Sequence, residues 1–120
     1  MTDHPTSIPE NRDLTTREMK LLRWLLENGN QEAQKHLGAL NTVKVVSRCG
    51  CGCPSINFTD DWGGGITILA DYQFNDPDGG LAGVFAFEYK DRLAGIDVWS
   101  IDGVANPREV PDPEVLRPLE

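Results

Sequence analysis

The chain has 120 residues, 39% of them hydrophobic and 25% charged, with a net charge of −8. That length suits one domain with one core, and the acidic balance opposes the attraction that dominates nucleic-acid and anionic-membrane binding. No apolar run approaches the roughly 20 residues that cross a bilayer, and the N-terminal segment lacks a signal peptide's apolar stretch. A cytoplasmic protein is expected, with a basic protein as the partner its charge suits best.

Residues 1–13 are polar, carry Pro5 and Pro9, and read as a flexible arm. Thr15-Thr16-Arg17-Glu18 is a capping-box pattern, a hydroxyl at the N-cap and a Glu three residues on. A helix should run from there to about Asn28 and stop at Gly29. Met19, Leu22, Leu25 and Leu26 recur at helical spacing and form its buried stripe. Asn30 is placed to cap a second helix reaching about Leu40, with a thin apolar face of Ala33, Leu37 and Leu40. Gly38 weakens its last turn.

From Asn41 the hydrophobic period changes from helical to alternating. Strands are expected over residues 42–47, 55–59, 66–74, 83–89 and 93–101. In the third, Ile66, Ile68, Ala70, Tyr72 and Phe74 would share a face; in the last, Ile96 and Val98 oppose Trp99 and Ile101. Asn75-Asp76-Pro77-Asp78-Gly79-Gly80 is a strong turn signal. It holds acids of the kind that bind calcium, but Phe74 and Phe85 stand where an EF-hand needs carboxylates. Trp62-Gly63-Gly64-Gly65 lacks the Lys-Ser/Thr of a phosphate loop and precedes a strand. Beyond Gly103 the prolines at 107, 111, 113 and 118 forbid an interior strand and mark an extended tail.

The expected fold is α+β. Two N-terminal helices pack on one face of a four- to five-stranded antiparallel meander sheet, with a proline-rich C-terminal tail along an edge. The expected division is an arm over residues 1–13, one α+β domain over 14–105 and the tail over 106–120.

All three cysteines fall in Arg48-Cys49-Gly50-Cys51-Gly52-Cys53-Pro54-Ser55. An odd number within five residues is no disulfide framework. In an extended chain the three sulfurs share a side, and the glycines would also let them curl around one point. Thiolates suit zinc or copper(I), which makes Cys49, Cys51 and Cys53 the candidate metal ligands, zinc the candidate cofactor, and His4, His36, Asp60 or Asp61 the source of a fourth ligand. Alternate spacing is not that of paired zinc cysteines, however. The competing reading treats them as small buried apolar residues where helices meet sheet, with no cofactor. A third gives one of them redox or nucleophilic work beside Arg48, which requires a lowered thiol pKa.

Residues 57–103 carry nine acids against two bases, Lys90 and Arg92. They read either as an acidic sheet face for a basic partner or as the solvated side of an antiparallel sheet. Glu88 and Asp97 could meet across adjacent strands, but with no pocket or base partner in sight they do not make a glycosidase-like dyad. Phe85, Phe87, Tyr89 and Trp99 would supply core or a ligand platform. The sequence thus favours a small non-catalytic binding protein, with a metal-binding protein and a thiol-based enzyme as alternatives.

Three pieces also form a familiar set: Leu14 to Leu26, Val45 to Ser55, and Ile96-Asp97-Val98-Trp99-Ser100 with the trailing Val110-Pro111-Asp112-Pro113. The set resembles a family of small uncharacterised bacterial, mainly actinobacterial, proteins with a Cys-Gly-Cys-Gly-Cys-Pro-Ser-like segment. The resemblance spans roughly Leu14 to Leu119 and implies a single domain, with no activity, ligand or catalytic residue attached to it.

Overall fold

Helix α1 (Thr16–Glu27) starts where the capping box sets it. In the computed structural model, which describes residues 7–50, 53–59 and 65–119, the Glu18 backbone N–H donates to Thr15 Oγ1 at 3.1 Å. The Thr15 N–H donates in return to Glu18 Oε1 at 2.9 Å. Arg12 grips the same carboxylate through both ends of its guanidinium, at 2.8 and 3.0 Å. Burial pushes the Glu18 carboxyl up, but the hydrogen bonds from Arg12 and the Thr15 backbone together outweigh it and hold the group below its ordinary value. Its stabilisation is therefore present above the unfolded-state pKa and lost as pH falls through the folded one. Thr15→Ala should cost about 1 kcal/mol, read as a lower urea midpoint at unchanged slope; an unshifted midpoint would remove the cap from the account of helix entry.

Leu21, Leu22, Leu25 and Leu26 are fully buried, while Met19 packs only partly against the core. The buried stripe is thus centred one residue from where the spacing of Met19 would put it. The expected second helix is broken. Asn30 caps a short α2 (Gln31–Gln34), its Oδ1 accepting from the Ala33 N–H at 2.9 Å. A 3-10 turn over Leu37–Asn41 follows. An apolar face this thin gives a regular helix little packing to hold it. The break brings His36 inward, and its Nε2 lies 2.6 Å from Glu88 Oε1 with both side chains buried.

The described residues form one antiparallel sheet of seven strands rather than four or five. They are β1 (Ser7–Arg12), β2 (Val45–Cys49), β3 (Ile56–Asn57), β4 (Thr67–Asn75), β5 (Leu81–Tyr89), β6 (Arg92–Ser100) and β7 (Arg117–Pro118). The order across the sheet is β1-β2-β3-β6-β5-β4-β7. Two three-strand meanders are therefore joined through β3 and β6, by the pairs Ile56 with Ile96 and Asn57 with Gly95, and the single meander is corrected.

Residues 7–12, assigned above to a loose arm, are a strand on β2, with Ser7 opposite Cys49 and Arg12 opposite Val45. Pro9 is tolerated there because the strand is at the sheet's edge, and the register shifts between Pro9 and Arg12. The proline-rich tail does run along an edge, but it is more than extended chain. A 3-10 turn at Pro113–Val115 leads into β7, which pairs with β4 through Tyr72–Pro118 and Gln73–Arg117.

In β4 the register shifts between Ile68 and Ala70. The extra residue lets Leu69 and Ala70 both turn inward and leaves Ile68 exposed, which corrects the simple alternation expected there. Val84, Ala86, Ile96 and Val98 line the core under α1. Trp24 meets Tyr72 edge-on at 4.7 Å between ring centres. Among the described residues no helix is long and apolar enough to cross a membrane.

Candidate binding face

Alternation puts a second set of side chains on the side of the sheet opposite α1. Across β5 and β6 three successive pairs face that way: Gly83 with Trp99, Phe85 with Asp97, and Phe87 with Gly95. Strand β4 extends two of these rows, with Asp71 opposite Phe85 and Gln73 opposite Gly83.

The glycines explain how the rings lie. A Cβ on Gly83 would stand 2.5 Å from Trp99 Nε1, and one on Gly95 would stand 2.9 Å from the tip of the Phe87 ring. Each ring therefore lies across its neighbouring strand, in space that only glycine leaves open. Phe85 and Phe87 meet edge-on at 5.8 Å. Phe87 is buried, whereas Trp99 keeps 40% exposure and Ile68, opposite Phe87, keeps 42%. The result is a low surface with an aromatic centre.

Asp71 and Asp97 flank Phe85, and two strand spacings set them about 10 Å apart. Burial pushes the Asp71 carboxyl above its ordinary value, and its Oδ1 is buried with no hydrogen-bond partner among the described residues. Burial likewise raises Asp97, partly offset by a hydrogen bond from Ser55 Oγ at 2.9 Å. Neither carboxylate forms an ion pair within the described residues. The Ser55 hydroxyl also accepts from the Val98 N–H at 2.8 Å, so β3's entry residue positions Asp97 from the neighbouring strand.

This face is narrower than the acid count promised. Of the seven described acids among the nine, only Asp71 and Asp97 project from strands onto it. Glu88 shares the parity of Val84 and Ala86 and turns to the core to meet His36. It sits opposite Leu93, not Asp97, so the two acids do not form a cross-strand pair. Asp76 and Asp102 accept backbone N–H bonds in turns, from Asn106 and from Leu81, Val104 and Ala105. Asp60 and Asp61 lie outside the described residues.

Of the cysteine segment, residues 48–50 and 53–55 are among the described ones. Strand β2 ends at Cys49, whose N–H donates to Ser55 O at 3.1 Å. The Cys53 thiol lies 3.5 Å from Ser55 Oγ. Both side chains are half-buried rather than sunk in the core. Cys51 and His4 lie outside the described residues, and His36 is held by Glu88. Among the described residues no three His, Cys, Asp or Glu side chains gather to hold a metal.

No family model matches the sequence. No curated protein matches it, and no solved structure does.

Proposed function

We propose that this is a non-catalytic binding protein whose open sheet face receives a basic protein segment, an arginine or lysine side chain seating on Phe85 and Trp99 between Asp71 and Asp97. The observation that carries this reading is the pair of desolvated carboxylates with no cationic partner among the described residues. A buried charge without a partner costs stability, and an incoming cation would remove that cost. An aromatic face adds roughly 0.5–2 kcal/mol of cation–π attraction as the site dries. A second copy of the chain fits poorly, because two chains of −8 repel one another.

Both Asp carboxyls have folded-state pKa values above their unfolded ones. Their ionisation therefore penalises the fold fully above the raised pKa, and the penalty is gone below the unfolded pKa. Asp71→Asn should raise the thermal midpoint at neutral pH and lose that gain in acid. The same variant should weaken binding of tri-arginine about tenfold, the effect of roughly 1.4 kcal/mol. Titration of tri-arginine followed by amide NMR should shift residues 71–73, 83–87 and 97–99 together with the Trp99 indole N–H, and the affinity should fall as pH falls through the two raised pKa values. Shifts spread evenly over remote acids such as Glu27 and Glu114, or an unchanged affinity in Asp71→Asn, would sink the proposal.

A further inference from the structure

Beside the first turn of α1 lies a cavity of about 400 Å³ whose wall includes Arg12, Arg17, Arg48 and Arg108. These are four of the chain's seven arginines, in a protein where acids outnumber Lys and Arg 19 to 11. Among the described residues two carboxylates, Glu18 and Glu109, share the wall with them. Each guanidinium carries five donors in a planar fork, so what each has already engaged can be counted.

Arg12 is consumed by the fold. Its Nε donates to Glu10 at 2.8 Å and its two terminal nitrogens hold Glu18. Those bonds, the one to Glu18 first, hold its pKa above the ordinary arginine value. Among the described residues Arg48 engages only its Nε, with the other oxygen of Glu10 at 2.9 Å. Glu10 thus bridges Arg12 and Arg48 and orients the second through the first. Arg17 donates through Nε to the Val110 carbonyl at 2.6 Å, and its Nη2 stands 3.9 Å from an exposed Glu109, beyond hydrogen-bond reach. Arg108 makes no hydrogen bond or ion pair among the described residues. Arg17, Arg48 and Arg108 thus share the wall of one cavity, two of them anchored through Nε, and among the described residues their terminal nitrogens make no hydrogen bond, the one ion pair being Arg17 Nη2 with Glu109 at 3.9 Å.

We propose that this cavity binds a small dianionic oxyanion, a phosphoryl group or a dicarboxylate, through Arg17, Arg48 and Arg108. A single negative charge would leave guanidiniums unpaired, whereas a dianion can accept paired N–H bonds from more than one fork. The proposal is independent of the open face, whose ligand has the opposite charge.

The test is a thermal and calorimetric titration of the full chain with inorganic phosphate, succinate, and acetate as a monoanion control, all at matched ionic strength. Phosphate or succinate should raise the thermal midpoint in a saturable way, and acetate should not. Which of the two dianions acts identifies the ligand group. Arg108→Gln, which breaks no bond seen among the described residues, should keep the unliganded midpoint and weaken the active dianion at least about tenfold. Arg48→Gln, which also removes the bond to Glu10, provides a second variant, read against its own unliganded midpoint, that should weaken the same dianion by a similar factor. Failure of both dianions to exceed the acetate effect would overturn the site, and so would dianion binding that survives in both variants.

Discussion

Glu88→Ala should cost about 3–5 kcal/mol of unfolding free energy, a large share of the roughly 5–15 kcal/mol a domain possesses. The carboxylate lies 2.6 Å from His36 Nε2 and both side chains are buried. Removing one member leaves the other with a polar atom that neither water nor protein satisfies. Replacing both with leucine should recover much of the loss, because an apolar pair of similar volume incurs no desolvation. Urea melts of the two single variants and the double variant decide it. Additive losses below about 1 kcal/mol each would show that the pair does not fasten the 3-10 turn to β5.

Leu25→Ala should cost about 2.7–5 kcal/mol. Leu25 is fully buried, with Leu21, Leu22 and Leu26 around it on the same helix face. The loss combines the transfer energy of the removed carbons with the cavity left where helix and sheet interlock. For a domain of this size the thermal midpoint should fall by roughly 10 °C or more. A drop of under about 3 °C would mean that α1 shifts to refill the space and that the core is looser than its burial indicates.

What the sequence made legible was local. The capping box of α1 and the Gly29 stop depend on residues within one turn of each other. Strands β4, β5 and β6 showed in alternation and in the Asn75–Gly80 turn, and Trp99 was correctly opposed to Ile96 and Val98. The failures share a cause, which is that the deciding partner lies far away in the chain. Ser7–Arg12 has no alternation of its own and becomes a strand only because β2 offers an edge. The two residues of β3 cannot announce that they pair with β6. His36 was weighed as a metal ligand and Glu88 as a partner of Asp97, yet Glu88 is in phase with Ala82, Val84 and Ala86, and that parity pointed to the core. The face residues Asp71 and Asp97 are visible as acids, but nothing local marks them as the two described acids that strands carry onto the face opposite α1. The arginine cavity is drawn from β1, α1, β2 and the segment before β7, so no stretch of sequence could show it.

The two outermost ribbons of the sheet are both supplied by regions near the chain's extremities, and each contains a proline. A proline in an edge strand removes a backbone donor, and β7 is only two residues long, so both edges make poorer templates for a foreign strand. Pairing of a further strand alongside Ser7–Arg12 or Arg117–Pro118 is thereby discouraged at the proline positions.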